Sequence, residues 1–273
     1  MSSTAPGRIE VTCLQSSPSL AERRKEIAGN TNTGLIKVIA VFFMLIDHAA
    51  ILFFRNATFY TEMRLLGRIA MPLFCWGCAV GCVYTHNIPI YGLRVLLAGI
   101  LIQLPYMPVM GHDWTYLNVF FPLSLGIFAV GGIRLGKGAF RVLIPVACLL
   151  IPDAVQALFG AKMDYSWKGA LLVVCLYLCR GDRKLLATVF FVFCLFWGAS
   201  SQKITSFLGF SFSFVTDRFS VIADILRLQA CAILALPLIL ISPRYGFKVP
   251  KWVSYLIYPA HLLLLWGIGR VVG

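Results

Sequence analysis

Residues 35–54 read LIKVIAVFFMLIDHAAILFF, an apolar run that carries Lys37 near its start and the pair Asp47-His48 beyond its middle. A helix needs roughly 20 apolar residues to cross a bilayer, so this run predicts a membrane span. Ionisable side chains inside a span cost several kcal/mol unless they are paired, and for that reason they mark functional sites or helix–helix clamps. Adjacent helical residues point about 100° apart, so Asp47 and His48 must each find a partner on another helix.

Composition extends the membrane interpretation to most of the chain. Of 273 residues, 59% are hydrophobic and only 13% are charged, whereas soluble domains are near half apolar and a quarter charged. The net charge of +13 comes from Lys and Arg residues that stand singly at the ends of apolar runs and form no basic face. We therefore expect a single membrane domain that contacts the lipid bilayer and binds no nucleic acid.

The apolar runs predict an all-α fold, a polytopic integral membrane helix bundle of about nine to ten transmembrane helices. Residues 1–34 are polar and predict a flexible cytosolic tail with a short amphipathic helix at its end, and residues 35–273 form the single transmembrane domain. The short apolar stretch 204–215 is either re-entrant or a tenth span. The predicted spans are 35–54, 69–85, 92–110, 116–133, 139–159, 166–180, 184–201, 219–241 and 252–272.

The distribution of positive charge predicts a cytoplasmic N-terminus. With this orientation, 15 of the 24 Lys and Arg residues fall in inside segments and eight in outside segments, as the positive-inside rule requires. Arg64 and Arg68 run against the trend, because they lie near the outer end of the second span.

The nine cysteines indicate neither disulfides nor a metal site. Eight lie in apolar runs, which is not the pattern of a disulfide framework. Cys75, Cys78 and Cys82 share one helical face, but no fourth ligand accompanies them. We interpret them as small packing residues and expect no metal.

Two further groups of polar residues need a reason. Arg64 and Arg68 share a helical face, and an arginine fork suits phosphate or carboxylate groups, with snorkelling to the interface as the alternative. Gly67 lies between them, and because it has no side chain it lets a backbone segment or a ligand approach closely. His261 lies near the middle of the last span, two residues after a proline that disturbs the helical ladder, and Tyr258 adds a hydroxyl on the same helix.

Gln103 and Asn118 are weaker candidates. Gln103 lies within a predicted span and Asn118 begins the next one. We place both with the substrate-binding residues, and packing and helix capping are the alternatives.

Two imidazoles, an acid and two guanidinium groups fit more than one chemistry. Histidine serves as a general base, a carboxylate fixes its tautomer, and arginines hold phosphate groups. Acyl transfer uses such a set, and so does proton-coupled transport. The residues alone do not choose between the two.

Three stretches resemble the TraX family of membrane proteins, which are linked to conjugative pili. They are LIKVIAVFFMLIDHAA at 35–50, GRIAMPLFCWGCAVG at 67–81 and YLIYPAHLLLL at 255–265. The resemblance covers nearly all of residues 34–273. Met71 departs from it conservatively, since an aromatic residue is common there. The residues on the family's motif positions are Asp47, His48, Gly67, Arg68, Pro72 and His261.

The resemblance implies a multi-pass protein of the bacterial inner membrane that moves an acetyl group from acetyl-CoA to an amine, with a pilin N-terminus as the first candidate. We expect His48 to act as base or transient acetyl carrier, with Asp47 and His261 as the other catalytic residues. A non-catalytic assembly factor and a proton-coupled transporter remain alternatives. The expected substrate-binding residues are Arg68, Arg64, Tyr258, Asn118 and Gln103, and the expected binders of the acetyl-CoA phosphates are Arg134, Lys137 and Arg183.

Overall fold

The computed structural model is almost entirely helical over the residues it describes, which are 19–199, 201–204, 206–207, 210–211, 227–243 and 250–272. A 3-10 helix, Ala230–Ala235, leads directly into α10. The helices are α1 Leu20–Lys25, α2 Thr33–Phe53, α3 Tyr60–Gly67, α4 Ala70–Tyr84, α5 Ile88–Met110, α6 Phe120–Leu135, α7 Phe140–Phe159, α8 Ser166–Leu178, α9 Arg183–Gly198, α10 Leu236–Leu240 and α11 Lys251–Val272. The strands are β1 Tyr116–Leu117, β2 Lys162–Met163, β3 Ser206–Phe207 and β4 Phe210–Ser211.

The all-α prediction is confirmed, but the count of nine to ten membrane helices is not. Within the described residues, four helical stretches are long and apolar enough to cross a membrane: α2, the run Tyr60–Tyr84 that contains α3 and α4, α5, and α7. Shorter apolar helices are α6, α8 and the run Ala230–Leu240. Many large apolar side chains remain exposed, such as Phe140, Leu143 and Leu158 on α7, as expected of a surface that faces lipid.

Helix ends follow local sequence signals. The side chain of Asn32 accepts the N–H of Leu35 at 3.1 Å and so caps α2, and Asp182 caps α9 in the same way. Helices α5 and α7 end at Gly111 and Gly160, whose φ angles of +68° and +66° suit glycine best.

Helix α4 forms the centre of the bundle. It packs against α2, α6 and α8, and its side chains are buried on every face, Trp76 completely. The predicted span at 69–85 matches α4 closely. The structure adds α3 before it as a separate helix, and Gly67 and Arg68 lie at the junction.

Residues 19–32 pack against the bundle, although the sequence predicted a flexible tail there. Trp76 donates its indole N–H to the carbonyl of Asn30 at 2.8 Å, and Arg23 donates to backbone carbonyls at the end of α4. Helix C-termini leave carbonyls unsatisfied, so a nearby arginine stabilises them. The remainder of the predicted tail, residues 1–18, lies outside the described residues.

The stretch 204–215 was predicted to be re-entrant or a tenth span. Its described part contains the antiparallel pair β3–β4, which is not a spanning helix, and the rest lies outside the described residues. Likewise, only residues 227–241 of the predicted span 219–241 are described.

Strands β1 and β2 pair in parallel and join two loops of the bundle. The N–H of Lys162 donates to Thr115 at 2.6 Å, and the N–H of Asp164 donates to Leu117 at 2.8 Å. The loop after α7 is thereby fixed beside the start of α6.

Candidate active site

Asp47 is held by two arginines from one turn of helix. Its Oδ2 accepts from Arg64 Nη1 and its Oδ1 accepts from Arg68 Nη2, both at 2.6 Å. Gly67 lies against the same carboxylate so closely that an added Cβ would overlap it. The group that approaches Gly67 closely is therefore the side chain of Asp47. The buried ion-pair cluster of Asp47, Arg64 and Arg68 holds α3 against α2.

Arg68 has further partners. Its Nε donates to the carbonyl of Arg64 at 3.2 Å, and its Nη1 lies 3.3 Å from the hydroxyl of Tyr165 and 3.4 Å from Oε1 of Gln229. Only 7% of Arg68 is exposed. Arg64 and Arg68 were predicted to bind substrate. Here they bind the protein's own carboxylate, while their role toward substrate stays a prediction.

His48 pairs with His261 of the last helix, 213 residues away in the chain. Nδ1 of His48 lies 3.0 Å from Nε2 of His261, and both residues are buried. Nδ1 of His261 lies 3.3 Å from the carbonyl oxygen of Ile257. A carbonyl only accepts hydrogen bonds, so Nδ1 of His261 is the donor in that contact.

This contact assigns the tautomers of both rings when both are neutral. Nε2 of His261 then carries no proton and accepts from Nδ1 of His48. It follows that Nε2 of His48 carries a lone pair. The sequence predicted that a partner carboxylate or tyrosine would orient the base, but a second histidine and a backbone carbonyl set its tautomer.

Tyr258 lies edge-on to both imidazoles. Its ring centroid is 4.8 Å from that of His261 and 6.5 Å from that of His48, and Phe120 packs edge-on against its other side. Tyr258 is 2% exposed. It therefore fixes the orientation of the histidine pair as well as lining the site.

A small cavity lies between the ion-pair cluster and the histidine pair. Its volume is about 40 Å³, enough for about two or three water molecules. The polar groups on its wall come from three parts of the chain, and they are Asp47, His48, Asp164, Tyr165 and Tyr258. We call it the acid cavity.

A second cavity of about 80 Å³ adjoins the first. Its wall is mostly apolar but includes Lys37, and we call it the lysine cavity. Phe74, Val119 and Tyr258 line both cavities. The two cavities are therefore neighbours, with Lys37 on the wall of one and His48 on the wall of the other.

The sequence did not single out Asp164 or Tyr165. They lie in the short loop between β2 and α8, where Tyr165 and Ser166 have φ angles of 62° and 47°. Residues other than glycine seldom adopt positive φ, and such strain concentrates at functional sites. Burial raises the pKa of Asp164 to about 6, even though Arg68 acts to lower it. A short loop has no periodicity that could reveal such a pair in advance.

Gln103 and Asn118 pair with each other rather than with either cavity. Nδ2 of Asn118 donates to Oε1 of Gln103 and to the carbonyl of Gly99, both at 2.8 Å. Oδ1 of Asn118 accepts the N–H of Phe120, two residues on, at 3.0 Å, which forms an Asx-turn just before α6. These hydrogen bonds connect α5 to the start of α6. The substrate-binding role of Gln103 and Asn118 stays a prediction.

The three residues predicted to bind phosphate lie outside both cavities. Arg134 donates to the carbonyl of Cys82 at 2.9 Å and Arg183 to that of Leu240 at 2.6 Å, while Lys137 is exposed. Each is near an end of a helix, and the orientation predicted from charge puts all three on the cytosolic side with Lys37.

Together these groups supply a buried imidazole pair, a charged cluster and two adjoining cavities. A neutral imidazole can serve as a general base, and a low-dielectric site strengthens each electrostatic contact. The arrangement can therefore perform proton transfer on a group that enters the acid cavity, which His48 lines.

Comparison with known proteins supports a single family. A 127-residue stretch is 32% identical to a probable fimbrial assembly protein FimC, serogroup H1, of Dichelobacter nodosus, covering 42% of this chain and 50% of that protein. A 92-residue stretch is 29% identical to an uncharacterized protein of Rickettsia prowazekii (strain Madrid E), covering 34% of each. The chain thus spans half or less of the length of these relatives.

No solved structure matches the chain significantly. The model of the family described as TraX protein matches residues 32–269, a range that contains both the ion-pair cluster and the histidine pair. The chain belongs to the TraX family.

Proposed function

We propose that this protein is a membrane-embedded acetyltransferase that moves an acetyl group from acetyl-CoA to an amine. The observation that carries the proposal is the chain of contacts from Ile257 through His261 to His48, which leaves a lone pair on Nε2 of His48 at a cavity wall. A buried base with a set tautomer is what a proton-abstracting transferase needs.

The lysine cavity suits the donor. A thioester arm is slender and uncharged, and the cavity wall is apolar along Val41, Phe74 and Leu123. Lys37 offers a positive charge to phosphate in the same cavity. Arg134, Lys137 and Arg183 add positive charge on the predicted cytosolic side, where acetyl-CoA is found.

The reaction is a direct transfer. The amine nitrogen attacks the carbonyl carbon of the thioester, the new C–N bond forms, and the C–S bond breaks. Nε2 of His48 accepts the proton that the nitrogen loses and returns it to the leaving thiolate as free CoA forms. His261 shares the positive charge on His48 while the proton is held.

The name of one relative supports the acceptor class that we propose. This relative is named as a probable fimbrial assembly protein, so we place this protein in pilus biogenesis, with the free N-terminus of a pilin-like peptide as acceptor. A non-catalytic role in assembly is the competing function, and it requires no reactivity toward acetyl-CoA.

The deciding experiment follows CoA release by the purified protein from acetyl-CoA and a peptide with a free N-terminus. We compare the wild type with His48→Ala and, as a control, His86→Ala in the exposed loop between α4 and α5. His48→Ala should reduce turnover by about 10²-fold or more, and His86→Ala should not. Wild-type turnover by His48→Ala, or no binding of acetyl-CoA at all, would refute the enzyme and favour transport or assembly.

A further inference from the structure

We infer that Asp164 is the binding site for the acceptor amine, which it receives as a protonated primary ammonium group in the acid cavity. The reaction assigned to this amine rests on the proposed function, but the binding site itself does not. The sequence pattern did not single out Asp164, whereas the structure puts it on the wall of the acid cavity.

The two carboxylates of the acid cavity differ in their partners. Asp47 is bonded through both oxygens to Arg64 and Arg68. Asp164 forms no ion pair within 4 Å among the described residues, although the same two arginines lie near enough to act on it. The hydroxyl of Tyr116 and the backbone N–H of Tyr165 are hydrogen-bond partners of the Asp164 carboxylate. Because no ion pair occupies this carboxylate as the two arginines occupy that of Asp47, it remains available to a cationic ligand.

The position of Asp164 is fixed by its backbone. Its N–H is bonded to the carbonyl of Leu117, and the next two residues, Tyr165 and Ser166, are held at positive φ. Such a conformation costs about 1–3 kcal/mol per residue and persists only where the surroundings determine it. The surroundings thus hold Asp164 on the wall of the acid cavity, which His48 also lines.

The titration of Asp164 predicts how binding depends on pH. Burial and the negative charge of Asp47 raise its pKa, Arg68 and Arg64 lower it, and the result is about 6. The other titratable groups near Asp164 are the hydroxyls of Tyr106, Tyr116, Tyr165 and Tyr258. A tyrosine, whose ordinary pKa is about 10, stays neutral between pH 5 and 7.5. Asp164 is thus ionised at pH 7.5 and protonated at pH 5, so an ammonium group should lose affinity as pH falls through 6.

In the proposed reaction Asp164 also accepts one of the two protons that the ammonium group must lose. An ammonium group carries three protons and the amide product carries one. The first proton passes to the Asp164 carboxylate, which frees the nitrogen lone pair, and is later released to water. The second passes through His48 to the thiolate, as described above.

The test measures binding without a donor, by calorimetry on the full-length protein in detergent. The probes are a pentapeptide with a free α-amino group and the same peptide N-acetylated. We compare the wild type with Asp164→Asn, Asp164→Glu and, as a matched control, Asp153→Asn at an exposed position of α7.

The wild type and the control should prefer the free-amine peptide at pH 7.5 by at least tenfold, and Asp164→Asn should lose this preference. Asp164→Glu keeps a carboxylate and should retain part of the preference for the free-amine peptide. This result would distinguish the loss of charge from misfolding as the cause of the effect in Asp164→Asn. Lowering the pH to 5 should remove the preference of the wild type. Equal affinity of the wild type for both peptides, or an undiminished preference in Asp164→Asn, overturns the inference.

Turnover measured in parallel separates this inference from the proposed function. Preference for the free amine without CoA release would refute the acetyltransferase but support the ammonium site. CoA release that Asp164→Asn performs with unchanged amine KM would support the enzyme but refute the ammonium site.

Discussion

Asp47 and His48 are neighbours in the chain but belong to different networks. The carboxylate faces α3 and its two arginines, and the imidazole faces α11. The 100° turn between adjacent helical residues separates them. Asp47 therefore acts mainly through the ion-pair cluster, while the reactive nitrogen belongs to His48.

At the residue scale, the first prediction concerns His261. His261→Ala removes the acceptor that holds Nδ1–H of His48, so the reactive tautomer is no longer fixed. We expect kcat to fall by about 10²-fold with the KM for acetyl-CoA unchanged, as steady-state CoA release will measure. His261→Gln retains an acceptor oxygen and should recover part of the rate. Equal losses in both variants would contradict the tautomer argument.

A second residue-scale prediction concerns Gly67. A Cβ at Gly67 overlaps the Asp47 carboxylate, whereas a Cβ at Gly77 meets no atom within 4 Å. Gly67→Ala should therefore cost about 1–3 kcal/mol of stability and lower the melting temperature of the purified protein, and Gly77→Ala should not. Similar melting temperatures for both variants would show that the cluster relaxes without cost.

Among the secondary-structure elements, α5 and α6 are connected by the hydrogen bond between Asn118 and Gln103. Asn118 is fully buried, so replacing either partner leaves a buried polar group unsatisfied, at about 1–3 kcal/mol. Gln103→Leu and Asn118→Leu should each lower thermal stability, and the double variant should lose less than their sum. The KM for the acceptor should not change. A raised KM at unchanged stability would instead support the substrate role predicted from sequence.

The elements show what hydropathy reveals and what it does not. The all-α fold and the buried polar residues Asp47, His48 and His261 were predictable, since polar groups are costly in lipid and stand out in apolar runs. The pairing of His48 with His261 was not, because it depends on which helices pack together. Asp164 was missed because it lies in a short loop between β2 and α8. The contacts of residues 19–32 with the bundle were not predictable, because polar residues that cap helix ends resemble a solvated tail.

Across the whole molecule, the proposed function uses the two adjoining cavities as one path, and the donor end of that path can be blocked. Gly77 lines the lysine cavity and has open space at its Cβ position. Gly77→Leu should fill that space and raise the KM for acetyl-CoA several-fold without loss of stability. Gly267→Leu on α11 also meets open space, lines neither cavity, and is the control. Equal KM values in the two variants would exclude the lysine cavity as the donor route.

The direction of that path depends on the orientation of the bundle. The charge distribution predicts a cytosolic N-terminus, with the exposed residues Trp114 and Lys137 on opposite sides of the membrane, since α6 lies between them. In intact spheroplasts, a membrane-impermeant maleimide should label Trp114→Cys above the unsubstituted background. Lys137→Cys should be labelled only after lysis. Acetyl-CoA is cytosolic, so this result would put the lysine cavity on the donor's side and the acid cavity toward the acceptor. The reverse labelling would show that Lys37 lies on the side of the membrane opposite to acetyl-CoA. The lysine cavity could then not be the entry for acetyl-CoA, even if His48 acts as the base.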